Sequence, residues 1–317
     1  MEPAIVVLGI TLALVLACCH SLIALMRQSE LQFAHAELSS VLTVAVLPDP
    51  EKSTGRTMTA STPSQNPLKT FTIDFGEGRF SPAVRIEPND SAEKIIAAFG
   101  LEHPRPTLFI SGGAGAMSED DIESTRMMMD TGIAAFAEKH HITVVDGGTE
   151  AGVMQMIGEA RQRNGYTFPL IGIAPESKVS YPGHDGTSKD ANLEDGHSHF
   201  VLVNADEWGG ESHMIVDLTR AISGKEHPKI GILINGGQIA ERDVYLAVTR
   251  GDDSIPMMIL EGSGRKADEI GTAFKTGRTD SQLIRAIISG GDIRLAGLKE
   301  GADAMYKKLE DHFLADA

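Results

Sequence analysis

Short apolar runs alternate with segments of helical character through most of the chain. Six of these runs have the length of strands and consist mainly of Ile, Val, Leu and other apolar residues. Because neither face of such a run is polar, the pattern predicts strands that are buried on both sides of a sheet. The runs cover residues 107–113, 142–148, 169–175, 199–204, 229–237 and 255–264.

Segments with a helical pattern lie between most of these runs. In the segment that follows residue 117, Ser118 and Asp121 stand at the spacing of a capping box, although Glu or Gln is usual at the second position. A repeated order of strand, helix and strand predicts an α/β fold. We therefore expect a doubly wound parallel sheet with right-handed crossover connections.

The N-terminal residues carry a different signal. From Ala4 to Met26 the chain contains no Lys, Arg, Asp or Glu. At about 1.5 Å per residue, a helix of this length spans a hydrocarbon core of about 30 Å, so the run predicts a single transmembrane helix. A secretory signal peptide is the alternative, but no basic residue precedes the run. Arg27 follows it directly, and the positive-inside tendency then places the rest of the chain in the cytoplasm.

The pattern divides the chain into four parts. Residues 1–27 are the predicted membrane anchor, and residues 28–70 are a juxtamembrane segment with a flexible linker rich in Pro, Ser and Thr. Residues 71–275 form the predicted α/β domain, and residues 276–317 form a helical segment packed on it. Within the domain, residues 176–198 show no periodicity, and connections of that length are commonly functional lids or binding loops.

Charge and cysteine content exclude several classes of protein. The formal net charge of the 317 residues is −16, and no cluster of Lys and Arg is present, which argues against a sequence-independent nucleic-acid binder. The two cysteines, Cys18 and Cys19, are adjacent within the apolar run. They cannot form a disulfide framework or a zinc site built on cysteines.

Glycine-rich corners follow four of the predicted strands. In an open parallel sheet they all lie at the carboxyl edge, where ligands bind near the point at which the strand order reverses. Helix N-termini at such corners favour phosphate, so the pattern indicates an anionic, nucleotide-like ligand. A single corner can also serve only close helix packing. The corners are Gly112-Gly113, Gly147-Gly148, Gly236-Gly237 and Gly262-Ser263-Gly264.

None of the corners matches the GxGxxG or GxxxxGK[ST] motif, which argues against ordinary dinucleotide dehydrogenases and P-loop NTPases. Three stretches do carry a resemblance: DGGTEAGVMQMIGEA, LEDGHSHFVLVN and MILEGSGRKADEI. They resemble the N-terminal homology region of the TRPM cation channels and its prokaryotic counterparts, the LSDAT branch of the SLOG superfamily. The likeness covers residues 71–275. It implies a Rossmann-like domain that binds nucleotide-derived ligands of the ADP-ribose kind, in several cases as a sensor attached to a membrane effector.

The resemblance also implies site residues. The family's GGTxxGVM pattern is matched at residues 147–154, where amides and a hydroxyl would meet the ligand. Arg265 stands where TRPM members that bind ADP-ribose use an arginine against phosphate, and its alternative is an ion pair with Asp268 or Glu269. Together with the corners, these features predict a ligand site formed by Gly112, Gly113, Gly147, Gly148, Thr149, Gly152, Gly236, Gly237, Gln238, Gly262, Ser263, Gly264 and Arg265.

An enzyme is the rival interpretation. The LONELY GUY phosphoribohydrolases carry PGGxGTxxE, whereas this chain has NGGQIAERD, with Ile239 and Ala240 replacing Gly and Thr and Asp243 at the position of Glu. Because the hydroxyl is lost and the acid is shorter, hydrolysis is doubtful. The sequence therefore favours a membrane-anchored cytoplasmic sensor domain with no catalytic residues over a nucleotide N-glycosidase. A structural module whose pocket no longer binds a ligand is a third alternative.

Other residue types are less informative. His197 and His199, with His184 or His213, could hold a metal, but their spacing is not diagnostic and we predict no metal site. Trp208 either stacks on a base or packs in the core or a lid. The sequence indicates no cofactor other than the nucleotide-derived ligand, and it leaves open whether the chain forms a homo-oligomer.

Overall fold

The computed structural model of the protein describes residues 67–186 and 190–315. The described residues all belong to one compact unit, as their mutual contacts show. The predicted membrane anchor at residues 4–26 and most of the predicted linker lie outside the described residues. In the described part of the chain, no helix combines the length and the apolar character needed to cross a membrane.

Strands and helices alternate along the described residues. A π-helical segment, Met128–Ala134, joins two of the helices. In chain order the elements are β1 (Thr70–Gly76), β2 (Arg79–Ile86), α1 (Ala92–Phe99), β3 (Thr107–Gly112), α2 (Glu119–Met127), α3 (Ala135–Lys139), β4 (Thr143–Asp146), α4 (Gly152–Arg163), β5 (Leu170–Pro175), β6 (Val179–Ser180), β7 (Ala191–Asn192), β8 (His199–Val203), α5 (Ser212–Ser223), β9 (Lys229–Ile234), α6 (Gln238–Val248), β10 (Met257–Glu261), α7 (Arg265–Thr276), α8 (Gln282–Gly290), β11 (Ile293–Gly297) and α9 (Ala302–Phe313).

Nine of the strands form one sheet in the order β1-β2-β8-β5-β4-β3-β9-β10-β11. Only the β1–β2 pair is antiparallel, and all other neighbours are parallel. From β3 the chain first builds the sheet outward through β4, β5 and β8, and then returns to the other side of β3 with β9. The strand order therefore reverses between β3 and β9, which makes their carboxyl ends the switch point of a doubly wound, Rossmann-like sheet.

The sheet is buried between two layers of helices because successive side chains of a parallel strand point to opposite faces. In β3, Phe109 belongs to the apolar cluster formed with α1, α5, α6, α7 and α8. Its neighbours Leu108 and Ile110 belong to the cluster formed with the π-helical segment, α3, α4 and α9. All three side chains are at most 1% exposed. This double burial explains why the central strands are continuous apolar runs.

The six strands predicted from apolar runs are confirmed, whereas the outer strands of the sheet were not predicted. The hairpin of β1 and β2 lies at one edge, and β11 lies at the other. Along β1 exposed residues alternate with partly or fully buried ones, so this strand lacks the apolar run that marks a central strand. Residues 276–317, predicted as helical, thus contribute an edge strand between α8 and α9. Residues 176–198 contain the short parallel pair of β6 and β7.

Candidate functional site

The ends of β3 and β9 lie in contact at the switch point. Gly112 is the last residue of β3 and pairs with Ile234, the last residue of β9. Its φ is +148°, and a Cβ atom at this position would overlap the carbonyl oxygen of Ile234. The next amide, of Gly113, donates a hydrogen bond of 3.1 Å to the same carbonyl. Gly112 therefore allows the two strand ends to meet, and we call the carboxyl edge around them, where ligands bind in sheets of this kind, the crevice.

The corner after β4 packs against neighbouring backbone. Gly148 has a φ of +64°, and a Cβ there would lie 2.7 Å from the Cα of Gly172 in β5. A Cβ at Gly152 would lie 3.0 Å from the amide nitrogen of Ala114, in the loop after β3. These two glycines thus bring the start of α4 close to the crevice. Gly147 is less confined, since its nearest neighbour in that direction is Met154 at 3.8 Å.

A second segment of backbone covers the corner after β4. The amide of Glu194 donates to the carbonyl of Gly148 (2.9 Å), and the amide of Glu150 donates to the carbonyl of Asn192 (2.8 Å). Thr149, between them, forms an isolated bridge with Leu193 and is 4% exposed. The backbone at Thr149 is therefore engaged within the protein, and its predicted contact with a ligand stays a prediction.

A buried ionic cluster fixes this covering segment. His197 donates to Asp146 through Nε2 (2.8 Å) and to Glu194 through Nδ1 (2.6 Å). Burial by itself would lower the pKa of His197, but the charges and hydrogen bonds of Asp146 and Glu194 raise it to about 10. Both ring nitrogens thus donate to carboxylates, and the protonated histidine links β4 to residues 194–197 through two ion pairs.

His199 and Trp208, both considered above, also have partners within the protein. His199 contacts the hydroxyl of Ser198 at 2.8 Å and packs against Phe99. Trp208 donates a hydrogen bond of 3.1 Å to Asp190 and packs against the apolar cluster beside β8. Its observed contacts fit the packing role, one of its two predicted alternatives.

On the other side of the switch point, Asn235 joins three loops. It directly follows β9 with a φ of +56°, a conformation that Asn tolerates better than most residues. Its Nδ2 donates to the carbonyls of Gly115 (3.1 Å) and Ser263 (2.7 Å), which lie in the loops after β3 and β10. Its backbone amide donates to the hydroxyl of Ser263 (2.7 Å). Asn235 was not among the predicted site residues, although an Asn before two glycines at a strand end is a recognisable turn signal.

Arg265 is the exposed cation of the crevice. Its guanidinium lies between two glycines, since a Cβ at Gly115 would be 3.0 Å from Nη1 and a Cβ at Gly237 would be 2.7 Å from Nη2. The acids that could have paired with it have other partners. Asp268 accepts from the amide of Gly262 (2.6 Å), and Glu269 pairs with Lys266 (2.8 Å). Within the described ranges, Arg265 forms no ion pair, so its charge is available to a ligand.

Helices α4 and α6 begin at this edge without a side-chain cap, after Ala151 and Gly237. Helix α7 also lacks one, but the amides of Lys266 and Ala267 in its first turn donate to the carbonyls of Gly236 (3.4 Å) and Asn235 (2.9 Å). By contrast, α2 and α8 begin with Ser118 and Ser281, whose side chains accept a hydrogen bond from an amide of the first turn. Uncapped first-turn amides are the groups that bind anions at helix N-termini.

The structure therefore brings the four predicted corners to one edge, but their atoms are not equally free. The amide of Gly262 and the hydroxyl of Ser263 are used in hydrogen bonds within the protein. Gln238 is exposed as the first residue of α6. A contact between any of these residues and a ligand stays a prediction. The predicted residues nearest the switch point are Gly112, Gly113, Gly236, Gly237, Gln238, Gly264 and Arg265.

Comparison with known proteins shows the family to which the chain belongs. A family model described as SLOG in TRPM, prokaryote, matches residues 105–306. The chain belongs to this family. The matched range includes β3, β9, β10 and every corner of the crevice, so the site described above lies within the SLOG domain.

Curated relatives of the SLOG domain are much longer proteins. The chain is 26% identical over 311 residues to transient receptor potential cation channel subfamily M member-like 2 of Nematostella vectensis, covering 80% of this chain and 19% of that protein. It is 25% identical over 218 residues to subfamily M member 1 of Mus musculus, covering 60% and 13%. For subfamily M member 2 of Mus musculus, the identity is 26% over 223 residues, covering 57% and 14%. The chain thus spans less than a fifth of these relatives.

A pair of buried acids lies beside the crevice of this SLOG domain. Asp243 of α6 is 4% exposed and accepts a hydrogen bond of 2.6 Å from the hydroxyl of Ser111, the residue before Gly112. Burial raises the pKa of Asp243 above its ordinary value. Burial, with a contribution from the charge of Asp243, also raises the pKa of Glu211 to about 7. The sequence indicated Asp243 only as the acid at the Glu position of the altered hydrolase motif, whereas nothing in the sequence indicated Glu211.

Proposed function

We propose that this SLOG domain binds a phosphate-bearing, nucleotide-derived ligand of the ADP-ribose kind at the switch-point crevice. The observation that carries the proposal is the position of Arg265, whose guanidinium lies against Gly115 and Gly237 and forms no ion pair within the described ranges. A guanidinium left without a carboxylate partner at a glycine-lined crevice suits phosphate, because its planar fork forms two parallel hydrogen bonds to such an oxyanion.

Helix geometry supports the same ligand class. Helices α4 and α6 begin around the crevice without side-chain caps, so their first-turn amides add partial positive charge. The net charge of −16 opposes an anion at long range. Salt screens that repulsion beyond about 8–10 Å, whereas the amides and Arg265 act at contact distance. Binding of an anionic ligand is therefore compatible with an acidic protein.

A sensor fits the site better than a hydrolase does. Asp243 is buried and burial raises its pKa, but its carboxyl already accepts a hydrogen bond from Ser111, which leaves it poorly placed to act on a ligand. Ile239 and Ala240 supply no hydroxyl next to it. A nucleotide N-glycosidase is the second candidate, because the same raised pKa in an acid beside the ligand crevice would also suit a general acid.

The membrane role belongs to this proposal. Residues 4–26 would anchor the chain as a single pass, with the SLOG domain in the cytoplasm. Three relatives are named as cation channels, which supports a ligand-binding domain that reports to a membrane protein. We do not extend channel activity to this chain, and its association into a homo-oligomer remains a hypothesis.

Calorimetric titration of the purified full-length chain tests the ligand class. The panel consists of pyrophosphate, AMP, ADP, ADP-ribose and unphosphorylated adenosine. We expect binding of at least one phosphate-bearing nucleotide, none of adenosine, and no release of base when the mixtures are analysed by chromatography. Failure of every phosphate-bearing compound to bind a folded protein would refute the proposal, and steady base release would favour the hydrolase.

A further inference from the structure

The side chain of Asn235 has one atom whose role the fold does not explain. Its Nδ2 lies between two carbonyl oxygens, those of Gly115 and Ser263. In the opposite orientation of the amide, Oδ1 would face both carbonyls and repel them, so the assignment of nitrogen and oxygen is fixed by the surroundings. Oδ1 is consequently the free acceptor, and in the part of the chain that the structure describes it has no hydrogen-bond partner.

Leaving that acceptor unpaired is costly. Asn235 is 1% exposed, and a buried amide oxygen without a donor loses the hydrogen bonds that water would give it. Of the neighbouring groups, the hydroxyl of Ser263 donates to the carbonyl of Leu260 (2.5 Å), and Gly115, Gly236 and Gly264 carry no donor side chain. A buried acceptor without a donor requires an explanation, and a ligand that donates to it supplies one.

The location of Asn235 connects this acceptor with the phosphate site. It precedes Gly236 and Gly237, and its side chain holds the loop of Gly115, so both glycines that flank the Arg265 guanidinium are attached to it. Its backbone carbonyl also accepts from the amide of Ala267 in α7 (2.9 Å), the helix that begins with Arg265. A phosphate bound at Arg265 would thus lie against the loops that Asn235 holds together.

We propose that Oδ1 of Asn235 accepts a hydrogen bond from a hydroxyl group of the ligand, and that Asn235 thereby selects a sugar-bearing phosphate over bare phosphate. The ligand class is a nucleotide or nucleotide sugar in which a ribose hydroxyl lies close to the phosphate group. This inference rests on the proposed function, since it requires phosphate at Arg265. It adds a specificity-determining contact that the phosphate site alone does not provide.

The test combines a variant of the protein with variants of the ligand. Calorimetry with the full-length chain compares ADP-ribose, its analogues that each lack one ribose hydroxyl, and pyrophosphate. Asn235→Gly is the variant of choice, because glycine adopts the φ of +56° without strain. If the substitution loosens the loops in general, it weakens the binding of ADP-ribose and of its analogues equally. The ratio of their affinities therefore isolates the hydrogen bond to Oδ1.

We expect one analogue to bind the wild type about 5- to 30-fold more weakly than ADP-ribose, as for the loss of a hydrogen bond, and to bind Asn235→Gly within about twofold of ADP-ribose. Ser263→Ala is the matched control, since it removes the acceptor of the Asn235 amide but keeps Oδ1. The discrimination should persist in this variant. If thermal melting shows that Asn235→Gly is unfolded, Asn235→Ser provides the same comparison.

Two other outcomes would distinguish failure of the Asn235 inference from failure of the proposed function. If ADP-ribose binds but every analogue binds equally well, or if the discrimination survives in Asn235→Gly, the inference is overturned while the proposed function stands. Oδ1 would then be paired with water. If no phosphate-bearing compound of the panel binds the folded wild type, the proposed function fails, and the inference fails with it.

Discussion

The guanidinium of Arg265 and the backbone of Gly237 are in contact, so that a Cβ at residue 237 would lie 2.7 Å from Nη2. Gly237 is the residue before α6, and Arg265 is the first residue of α7. The contact therefore joins two helix N-termini at the switch point. It places a positive charge beside the uncapped first turn of α6.

Gly237→Ala should weaken ligand binding without weakening the fold. The φ of Gly237 is −112°, which alanine adopts readily, and the only close neighbour of the added Cβ is the flexible, exposed end of Arg265. We expect a displaced guanidinium and an affinity for ADP-ribose reduced about five- to tenfold, as for partial loss of a charged hydrogen bond. The measurement is calorimetry together with thermal melting. Gly290→Ala, in α8, is the control, and equal affinity of both variants would contradict the expectation.

The His197 cluster should make the stability depend on pH above neutrality. The pKa of His197 is about 10 in the folded protein and near 6.5 when unfolded, so its stabilisation is complete below about pH 6.5 and is lost as the pH rises towards 10. The loss can reach about 1.4 kcal/mol per pH unit, the value for one proton. Urea unfolding at pH 7, 8.5 and 10 should show a steeper decline for the wild type than for His197→Gln.

His199→Gln is the matched control for that experiment. Burial lowers the pKa of His199 to about 4, so it is neutral in both the folded and the unfolded state above pH 7.5. Its replacement should leave the decline with pH intact. The same slope in the wild type and in His197→Gln would show that a protonated His197 does not link β4 to residues 194–197 through ion pairs.

Asp243→Asn should preserve both the fold and ligand binding. Burial raises the pKa of Asp243, so the protonated form is favoured in the folded state, and folding is opposed once the pH exceeds the ordinary pKa of an aspartate. A neutral amide of the same shape removes that cost and can still accept from Ser111. We expect equal or higher stability in urea at pH 7 and unchanged affinity. Base release by the wild type that Asp243→Asn abolishes would instead establish the N-glycosidase.

Residues 4–26 should hold the chain in the membrane. The full-length protein is expected in the membrane fraction after carbonate washing, and a variant that lacks residues 4–26 is expected in the soluble fraction, because the run carries no charge. Mass spectrometry of the full-length protein provides the check. A soluble full-length chain, or one trimmed before Arg27, would contradict a retained anchor.

The sequence predicted the centre of the fold better than its edges and its contacts. Buried parallel strands such as β3 and β9 produce apolar runs, and their glycine corners necessarily meet at the carboxyl edge. The half-exposed strands β1 and β11 produce no such run. The hydrogen bond from Asn235 to Gly115 joins residues 120 positions apart, and the bond from His197 to Asp146 joins residues 51 apart. Periodicity carries no information about contacts of this kind.

The sequence also could not show which glycines are open to a ligand and which are needed for packing. The pattern GGTxxG suggested amides open to a ligand, but Gly148 is required for contact with Gly172, and the backbone at Thr149 is covered by Leu193. The corner after β9, which resembles a degraded hydrolase motif, lies at the switch point instead. Strand order decided which corners form the crevice, and strand order is not apparent in a local pattern.

Calorimetric titration of ADP-ribose into the wild type and Arg265→Ala tests the central claim most directly. Loss of a hydrogen-bonded charge should cost about 1.5–3 kcal/mol, or roughly ten- to a hundredfold in affinity, and Arg265→Lys should recover only part of it. Arg163→Ala is the control, since Arg163 ends α4 far from its N-terminus and pairs with Asp130. We expect that only the Arg265 variants bind ADP-ribose more weakly than the wild type, and that they remain folded. Wild-type affinity in folded Arg265→Ala would contradict it.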